Sequence, residues 1–378
     1  MLRTSDLEYV LPEDRVALSP AEPRDSARLM VVWRSDPGRV EHRTVRDLPD
    51  YLGRGDALIV NNTRVLAARL LGVRTDTGGA VEGLFLSEYP TAATGLRWRV
   101  LLRGRRMRAG LVVALNVGSG PPSGVQLRLV RSLDDEGEKG GWVVEVEGCG
   151  AGEATVAGGT GGAVLERVGT TPLPPYIRAA RRRASRAEDE AADRDRYQTV
   201  YSDAALAGSV AAPTAGLHFT PELLSKLAAG GVTRGEVLLH VGTGTFKPVE
   251  TEFVEQHPMH AEWCRVPAST GGLIARTRAA GGRVVAVGTT SARTLESFSP
   301  AEIVAGAEAW TRLLVTPGFA WRNVDGLMTN FHLPRSTLLA MVASLLPEGM
   351  PRLLDLYADA IGRGYRFYSF GDAMLVLP

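Results

Sequence analysis

The 378-residue sequence predicts an α/β fold: a domain with a mixed or parallel sheet, interrupted by an inserted all-β, barrel-like domain. Three observations carry this. Gly55-Asp-Ala-Leu-Ile-Val-Asn61 and Arg283-Val-Val-Ala-Val287 are nearly continuous apolar runs, as expected of strands buried on both faces. From residue 168 onward such runs alternate with helical segments, the pattern of a parallel or mixed sheet. Between residues 63 and 167 short strand-like runs recur with no helical period, as in a small barrel. The expected organisation is 1–62 as the first part of the α/β domain, 63–167 as the insertion, and 168–378 as the second part, which carries most of the active site.

Taken in order, Arg28-Leu-Met-Val-Val-Trp33 reads as a strand, residues 45–52 as a short helix and residues 55–61 as a buried strand. That strand ends in Asn61-Asn62-Thr63, at the carboxyl end where open α/β sheets bind ligands. The insertion offers strand-like runs at 66–73, 80–86, 97–102, 111–115, 125–130 and 142–146. The Gly-rich stretch 148–162 reads as a flexible loop back to the first domain. Residues 178–196, dense in Arg, Glu and Asp, read as one solvated, ion-paired helix, with a basic edge against phosphates as the alternative. Residues 221–229 form a helix, with Thr220 as N-cap, Pro221 at the first position and Gly230-Gly231 behind it. Residues 235–241 and 283–287 are strands; 270–280, 336–346 and 352–362 are helices.

With 44% hydrophobic and 22% charged residues, the composition is that of a globular chain and excludes a mainly disordered one. Cys149 and Cys264 are too few and too far apart for a disulfide framework or a cysteine zinc site, which fits a reducing cytosol. Scattered charges near Met1 and the lack of a run of roughly 20 apolar residues point to a soluble cytoplasmic protein. Of the 43 basic residues only Lys139, Lys226 and Lys247 are lysines. A GC-rich genome accounts for that ratio, while local arginine clusters remain suited to phosphate contact and base stacking. The net charge of +1 argues against a wholly basic nucleic-acid coat but not against one basic face.

Two strand-to-loop junctions carry candidate chemistry. In Leu239-His-Val-Gly-Thr-Gly-Thr-Phe246, Gly242 and Gly244 permit close backbone approach, and Thr243 and Thr245 supply hydroxyls. In Val287-Gly-Thr-Thr-Ser-Ala-Arg293 a glycine turn opens a helix, whose free amides with Thr289, Thr290 and Ser291 suit a carboxylate or phosphate. Neither matches a nucleotide fingerprint: there is no GxxxxGK[ST], and Gly242-Thr-Gly244 leads to Lys247-Pro248 where a dinucleotide-binding turn needs a helix. His257 and His260 have the spacing of half a metal site, but Pro258 opposes a regular helix there, so no metal is expected. His218 follows a Pro/Gly loop. His332 sits in an irregular stretch with Asn330 and Arg335, which suggests a polar pocket.

Taken as an ordered set, several strings are far more specific. They are Leu173-Pro-Pro-Tyr-Ile177, Arg196-Tyr-Gln-Thr-Val-Tyr201, Val210-Ala-Ala-Pro-Thr-Ala-Gly-Leu-His-Phe219 and the two junctions above. Thr329-Asn-Phe-His-Leu-Pro-Arg-Ser-Thr-Leu338 and Tyr365-Arg-Phe-Tyr-Ser-Phe-Gly-Asp-Ala-Met374 complete it. The chain closely resembles the S-adenosylmethionine:tRNA ribosyltransferase-isomerases of queuosine biosynthesis, from Tyr9 to Met374. The resemblance implies transfer and isomerisation of the ribosyl part of S-adenosylmethionine onto the aminomethyl group of a 7-aminomethyl-7-deazaguanine at the tRNA wobble position. Epoxyqueuosine-tRNA, adenine and methionine are the products. S-adenosylmethionine is then a co-substrate, no permanent cofactor is needed, and the partner is a tRNA with a GUN-type anticodon. A base must take a proton beside the sulfonium, and a donor must assist the departing adenine.

Mapped onto these motifs, His218, His240 and His332 are the candidate proton-transfer groups, with Glu296 as the carboxylate alternative. Thr214, Gly242, Thr243, Gly244, Thr245, Gly288, Thr289, Thr290, Ser291, Arg293, Asn330 and Arg335 are the candidates for holding S-adenosylmethionine and substrate. Arg64, Arg69, Arg105, Arg106, Tyr176 and Arg178 are those for tRNA, with Tyr176 placed to stack on a base. Thr170 stands where relatives carry a histidine, so that position holds no indispensable base. A monomer is expected. The alternatives are a non-catalytic RNA-binding protein on the same scaffold and an ordinary S-adenosylmethionine methyltransferase.

Overall fold

The computed structural model describes residues 1–90, 95–118, 120–136, 138–148, 159–242, 244 and 248–378. The chain divides into two compact units. One holds Met1–Arg64, Pro174–Ala187 and Arg196–Pro378; the other holds Val65–Leu173 and Glu188–Asp195.

The first unit is built on a nine-stranded mixed sheet. Four parallel strands form its middle: Thr233–Leu239, Ala57–Asn61, Val284–Val287 and Gly326–Asn330. On one side lie the antiparallel strands Glu262–Val266 and Ala307–Thr311. On the other, Ala373–Leu377 runs antiparallel to Gly326–Asn330 and parallel to Arg28–Trp33, and Val40–Thr44 closes that edge. The two ends of the chain thus meet in one sheet.

Side chains alternate between two cores. Ile59, Val284, Ala286, Leu327 and Val376 enter one, while Leu58, Val60, Val285, Val287, Met328 and Leu375 enter the other. Both faces are covered, which is why these strands read as unbroken apolar runs. Parallel strands need crossovers, and the helices Ala268–Ala279 and Gly288–Glu296 supply two of them.

In the second unit a closed antiparallel barrel runs in the order Gly141–Glu147, Leu96–Arg103, Ala80–Glu88, Arg69–Arg74, Val112–Asn116, Pro122–Ser132. Alternation here is strict: Trp98, Val100 and Leu102 point inward, and Trp98 meets Phe85 edge-on at 5.2 Å. The α/β sheet with a barrel-like partner is therefore as the sequence implied, and each expected barrel strand lies at its place within a few residues.

Several local expectations change. The segment 45–52 is a 3₁₀-helix, Val45–Asp50, because Pro49 cannot donate within it and Asp47 accepts from both the amide and hydroxyl of Thr44. The charged segment 178–196 is not one helix but two, Pro175–Arg183 and Glu190–Arg196, broken where Ser185 adopts φ 51°. Its Arg181 is buried and donates through Nε to the Leu18 carbonyl at 2.9 Å, so that side is anchored rather than solvated. Most of the Gly-rich stretch lies outside the described residues, and its end opens the helix Gly159–Val168. Thr329-Asn330, expected in an irregular stretch, instead ends a strand that is buried throughout.

At the amino ends of two central strands, Asp56 binds the Arg283 guanidinium (2.6 and 3.1 Å) and the amides of Arg283 and Gly53. Burial alone raises this carboxyl's pKa; the guanidinium and the two amides outweigh it and hold it below the usual range. Asp56→Ala leaves these donors unpaired and is expected to lower stability by about 2 kcal/mol, read from the urea midpoint.

Candidate active site

A pocket opens at the carboxyl ends of the central strands. Val241 reaches it from one strand end, Gly288, Thr289 and Thr290 from the next, and Thr329, Asn330, Phe331 and His332 from the third. Ala212–Ala215 form another wall, and Tyr176, Tyr368 and Ser369 close it.

Each wall is fixed by local chemistry. Gly288 has φ 85°, a conformation that lets the chain leave Val287 and enter the helix Gly288–Glu296 at once. The first amides of that helix have no partner within it. Thr290 Oγ1 is buried and makes no hydrogen bond among the described residues. Ser291 Oγ instead donates back to the Val287 carbonyl (2.7 Å), and the residue is fully buried, so its hydroxyl serves the joint. Asn330 accepts from Thr214 Oγ1 at 2.9 Å and donates to the Tyr368 carbonyl at 3.1 Å, tying three walls together. Tyr176 and Ser369 share a short hydroxyl–hydroxyl hydrogen bond, and the Ser369 amide donates to Tyr176 at 3.2 Å. Tyr368 sits at φ 73°, a strained conformation for a tyrosine, and packs edge-on against Tyr176 at 4.7 Å.

The three candidate histidines part company. His332 lines the pocket, its Nε2 2.9 Å from Thr329 Oγ1, while its amide donates to Tyr357. Burial pushes its pKa down to about 3, so the imidazole is neutral at pH 7. His218 is buried outside the lining, with Nδ1 and Nε2 each 3.0 Å from a carbonyl, those of Ala215 and Gly371. It stitches the turn Thr214–His218 to the turn before the last strand. His240 lies just before Val241, with Nδ1 3.1 Å from Thr63 Oγ1 and its ring stacked on Trp263.

The charged candidates hold the scaffold. Glu296 is fully buried and accepts from the amides of Arg322, Asn323 and Val324; burial raises its pKa against those amides. Arg293 pairs with Glu262 at 2.7 Å, both side chains buried, and Glu262 Oε1 accepts the Gly242 amide at 2.8 Å. That pair fixes the start of the Gly242 loop. Gly244 lies against the His260 ring, whereas Thr243 and Thr245 lie outside the described residues. Arg335, at φ 56°, donates to the Val249 carbonyl and is not in the lining. Asn61 likewise serves the sheet: Nδ2 donates to the Leu239 carbonyl, and Oδ1 accepts the Leu239 and Thr63 amides.

The comparisons with known proteins bear on this geometry. Residues 4–376 match the family described as "Queuosine biosynthesis protein". The chain is 44% identical over 378 residues to the S-adenosylmethionine:tRNA ribosyltransferase-isomerase of Desulfitobacterium hafniense, covering all of both chains. It is 48% identical to the protein of that name from Gloeobacter violaceus, covering 99% of this chain and 96% of the other. The chain belongs to this family. A crystal structure of S-adenosylmethionine tRNA ribosyltransferase from Thermotoga maritima is also similar, at 31% identity and a TM-score of 0.51, covering 98% of this chain and all of that one.

Within this queuosine-family chain the tRNA candidates scatter. Arg69 is tied to Glu82 and Glu188 and is nearly buried. Arg105 and Arg106 stand exposed in a turn of the barrel unit, Arg106 at φ 51°. Arg64 directly follows Asn61-Asn62-Thr63 and opens the short strand Arg64–Val65, and Arg178 lies half-buried on the helix that carries Tyr176. Tyr176 belongs to the pocket wall. Ser336, Tyr368 and Ser369 also line the pocket and are not among the residues the sequence singles out. The run Tyr365-Arg-Phe-Tyr-Ser-Phe-Gly-Asp372, polar residues among aromatics just ahead of an apolar strand, is the available signal for Tyr368 and Ser369.

An unfolded histidine takes up its proton near pH 6.5, whereas folded His332 does so only near pH 3. In between, the unfolded state binds more protons, so this residue lowers stability as pH falls from 6.5. His332→Gln is expected to flatten the fall in urea midpoint between pH 6.5 and 4.5.

Proposed function

We propose that this chain is an S-adenosylmethionine:tRNA ribosyltransferase-isomerase whose chemistry takes place in the pocket at the carboxyl ends of the central strands. One observation carries the placement. Residues far apart in sequence, from the strings around Tyr176, Thr214, Val241, Gly288, Asn330 and Ser369, line the same cavity. The reaction follows from the family: the ribosyl part of S-adenosylmethionine goes to the aminomethyl group of the deazaguanine, and adenine and methionine leave.

Among the described residues the lining bears no formal charge at pH 7. A sulfonium brought there loses hydration and gains no carboxylate in return. The lining therefore meets the sulfonium with hydroxyl and amide dipoles alone. Among the candidate histidines His332 is the one in the lining, and it is neutral there; the burial that holds its pKa near 3 makes it a weak base, so it is placed to hydrogen-bond the ligand. The amides at the start of the helix Gly288–Glu296, with Thr289 and Thr290, hold the methionine carboxylate or the ribose hydroxyls, and the Thr214–Asn330 pair orients the remainder. His218, Ser291, Arg293 and Glu296 position these groups from behind. Supporting the wider setting, no helix among the described residues is long and apolar enough to cross a membrane, and Cys264 is buried and unpaired. We place the enzyme in the cytoplasm as a monomer acting on tRNA with a GUN-type anticodon.

Incubation with labelled S-adenosylmethionine and tRNA bearing 7-aminomethyl-7-deazaguanine is expected to release adenine and methionine. Release of S-adenosylhomocysteine would make the chain a methyltransferase, and binding without turnover a non-catalytic RNA-binding protein. Thr290→Val removes one hydrogen-bonding group and is expected to lower kcat/KM by about tenfold in the adenine-release assay. Glu296→Gln is expected to lower the melting temperature while the folded fraction keeps its turnover.

A further inference from the structure

At the edge of the nine-stranded sheet, His240, Trp263 and Trp310 form a row. Trp263 and Trp310 are directly opposed in the antiparallel pairing of Glu262–Val266 with Ala307–Thr311, so they share one face. The His240 ring stacks on Trp263, with centroids 5.5 Å apart and planes inclined by 23°. Across three strands the row spans about 10 Å. Its inner end is His240, next in sequence to Val241, which lines the pocket. Its outer end is Trp310, 70% exposed on the last strand of the sheet.

Two arginines flank the row. Arg265 lies two residues after Trp263, and Arg312 two after Trp310. Among the described residues neither forms an ion pair, although Glu308 stands opposite Arg265 in the ladder. The Arg265 Nε is buried without a hydrogen-bond partner. An apolar protein surface seated here would cover the indole and leave both guanidinium groups unsatisfied. A single-stranded RNA satisfies both, since its bases stack on aromatic rings and its phosphates pair with arginine.

We propose that this row is a stacking platform for an unpaired base of the anticodon loop beside the modified nucleotide, with Arg265 and Arg312 on the adjoining phosphates. The proposal rests on the reading of the chain as a tRNA-modifying enzyme. It adds a binding surface on the first unit, outside the pocket lining.

The test compares wild type, Trp310→Ala, Trp310→Phe and Arg312→Ala by tRNA binding at several salt concentrations, S-adenosylmethionine affinity, adenine-release kinetics and sedimentation. Trp310→Ala is expected to raise the Kd and KM for tRNA by roughly 5- to 100-fold, with S-adenosylmethionine affinity retained as the control for folding. Trp310→Phe is expected to recover most of the loss. Arg312→Ala is expected to reduce the salt slope of tRNA binding by about one. Unchanged tRNA Kd and KM in Trp310→Ala overturns the proposal. So does a change of oligomeric mass without a change in tRNA affinity, which would make the edge a contact with a second copy. Wild type that binds tRNA but releases no adenine overturns the catalytic reading instead, and that arm is scored separately from the variants.

Discussion

The central strands Ala57–Asn61, Val284–Val287 and Gly326–Asn330 are buried on both faces and carry apolar side chains along most of their length, so their polar groups gather at the strand ends. In this chain four parallel strands finish at one level, and their last carbonyls and amides are the groups that must be satisfied there. Asn61 satisfies those of the neighbouring strand end, and Asn330 bonds both Thr214 and the turn at Tyr368. The polar groups that keep the strand ends in register are thus the same kind as those that shape the pocket. Site and scaffold are one hydrogen-bonded layer.

That layer keeps formal charge at a distance. Arg293 and Glu262 neutralise each other behind the Gly242 loop, and Glu296 is held by three amides of the segment after Trp321. Both are buried where an unpaired charge would be costly, so their geometry is rigid and their effect on the pocket is positional. The cavity itself is lined by hydroxyls, an amide side chain, aromatic rings and one neutral imidazole. Such a lining leaves the orientation of a ligand to hydrogen bonds rather than ion pairs.

The aromatic groups divide by depth. Tyr9, Phe331, Tyr357 and Phe367 pack edge to face beneath the pocket, and both Tyr9, through its hydroxyl, and Tyr357 bond the backbone of His332. Tyr176 and Tyr368 form a wall with polar tips. Trp263 and Trp310 face each other across two strands at the sheet edge. Burial decides which rings are structural and which remain available to a ligand.

Composition and periodicity by themselves settled the fold class and most strands, because a strand buried on two faces and a barrel strand buried on one leave different patterns, as in residues 284–287 and 97–102. The ordered motif strings settled the family, since they depend only on the identity of residues along the chain. Which motif residues touch the cavity was a different matter. His218 and His332 look alike in sequence, each following a turn, yet one is clasped between two carbonyls and the other faces open space. Ser291 and Thr290 are adjacent, and the helix turn between strand and site directs one hydroxyl backward and leaves the other unbonded. Glu296 and Arg293 advertise reactive charge, but their partners, the amides at 322–324 and Glu262, come from elements that only the folded sheet brings alongside. Local pattern records what a residue is and how often it repeats; burial and partnership are set by contacts between segments far apart in the chain, and only tertiary structure decides those.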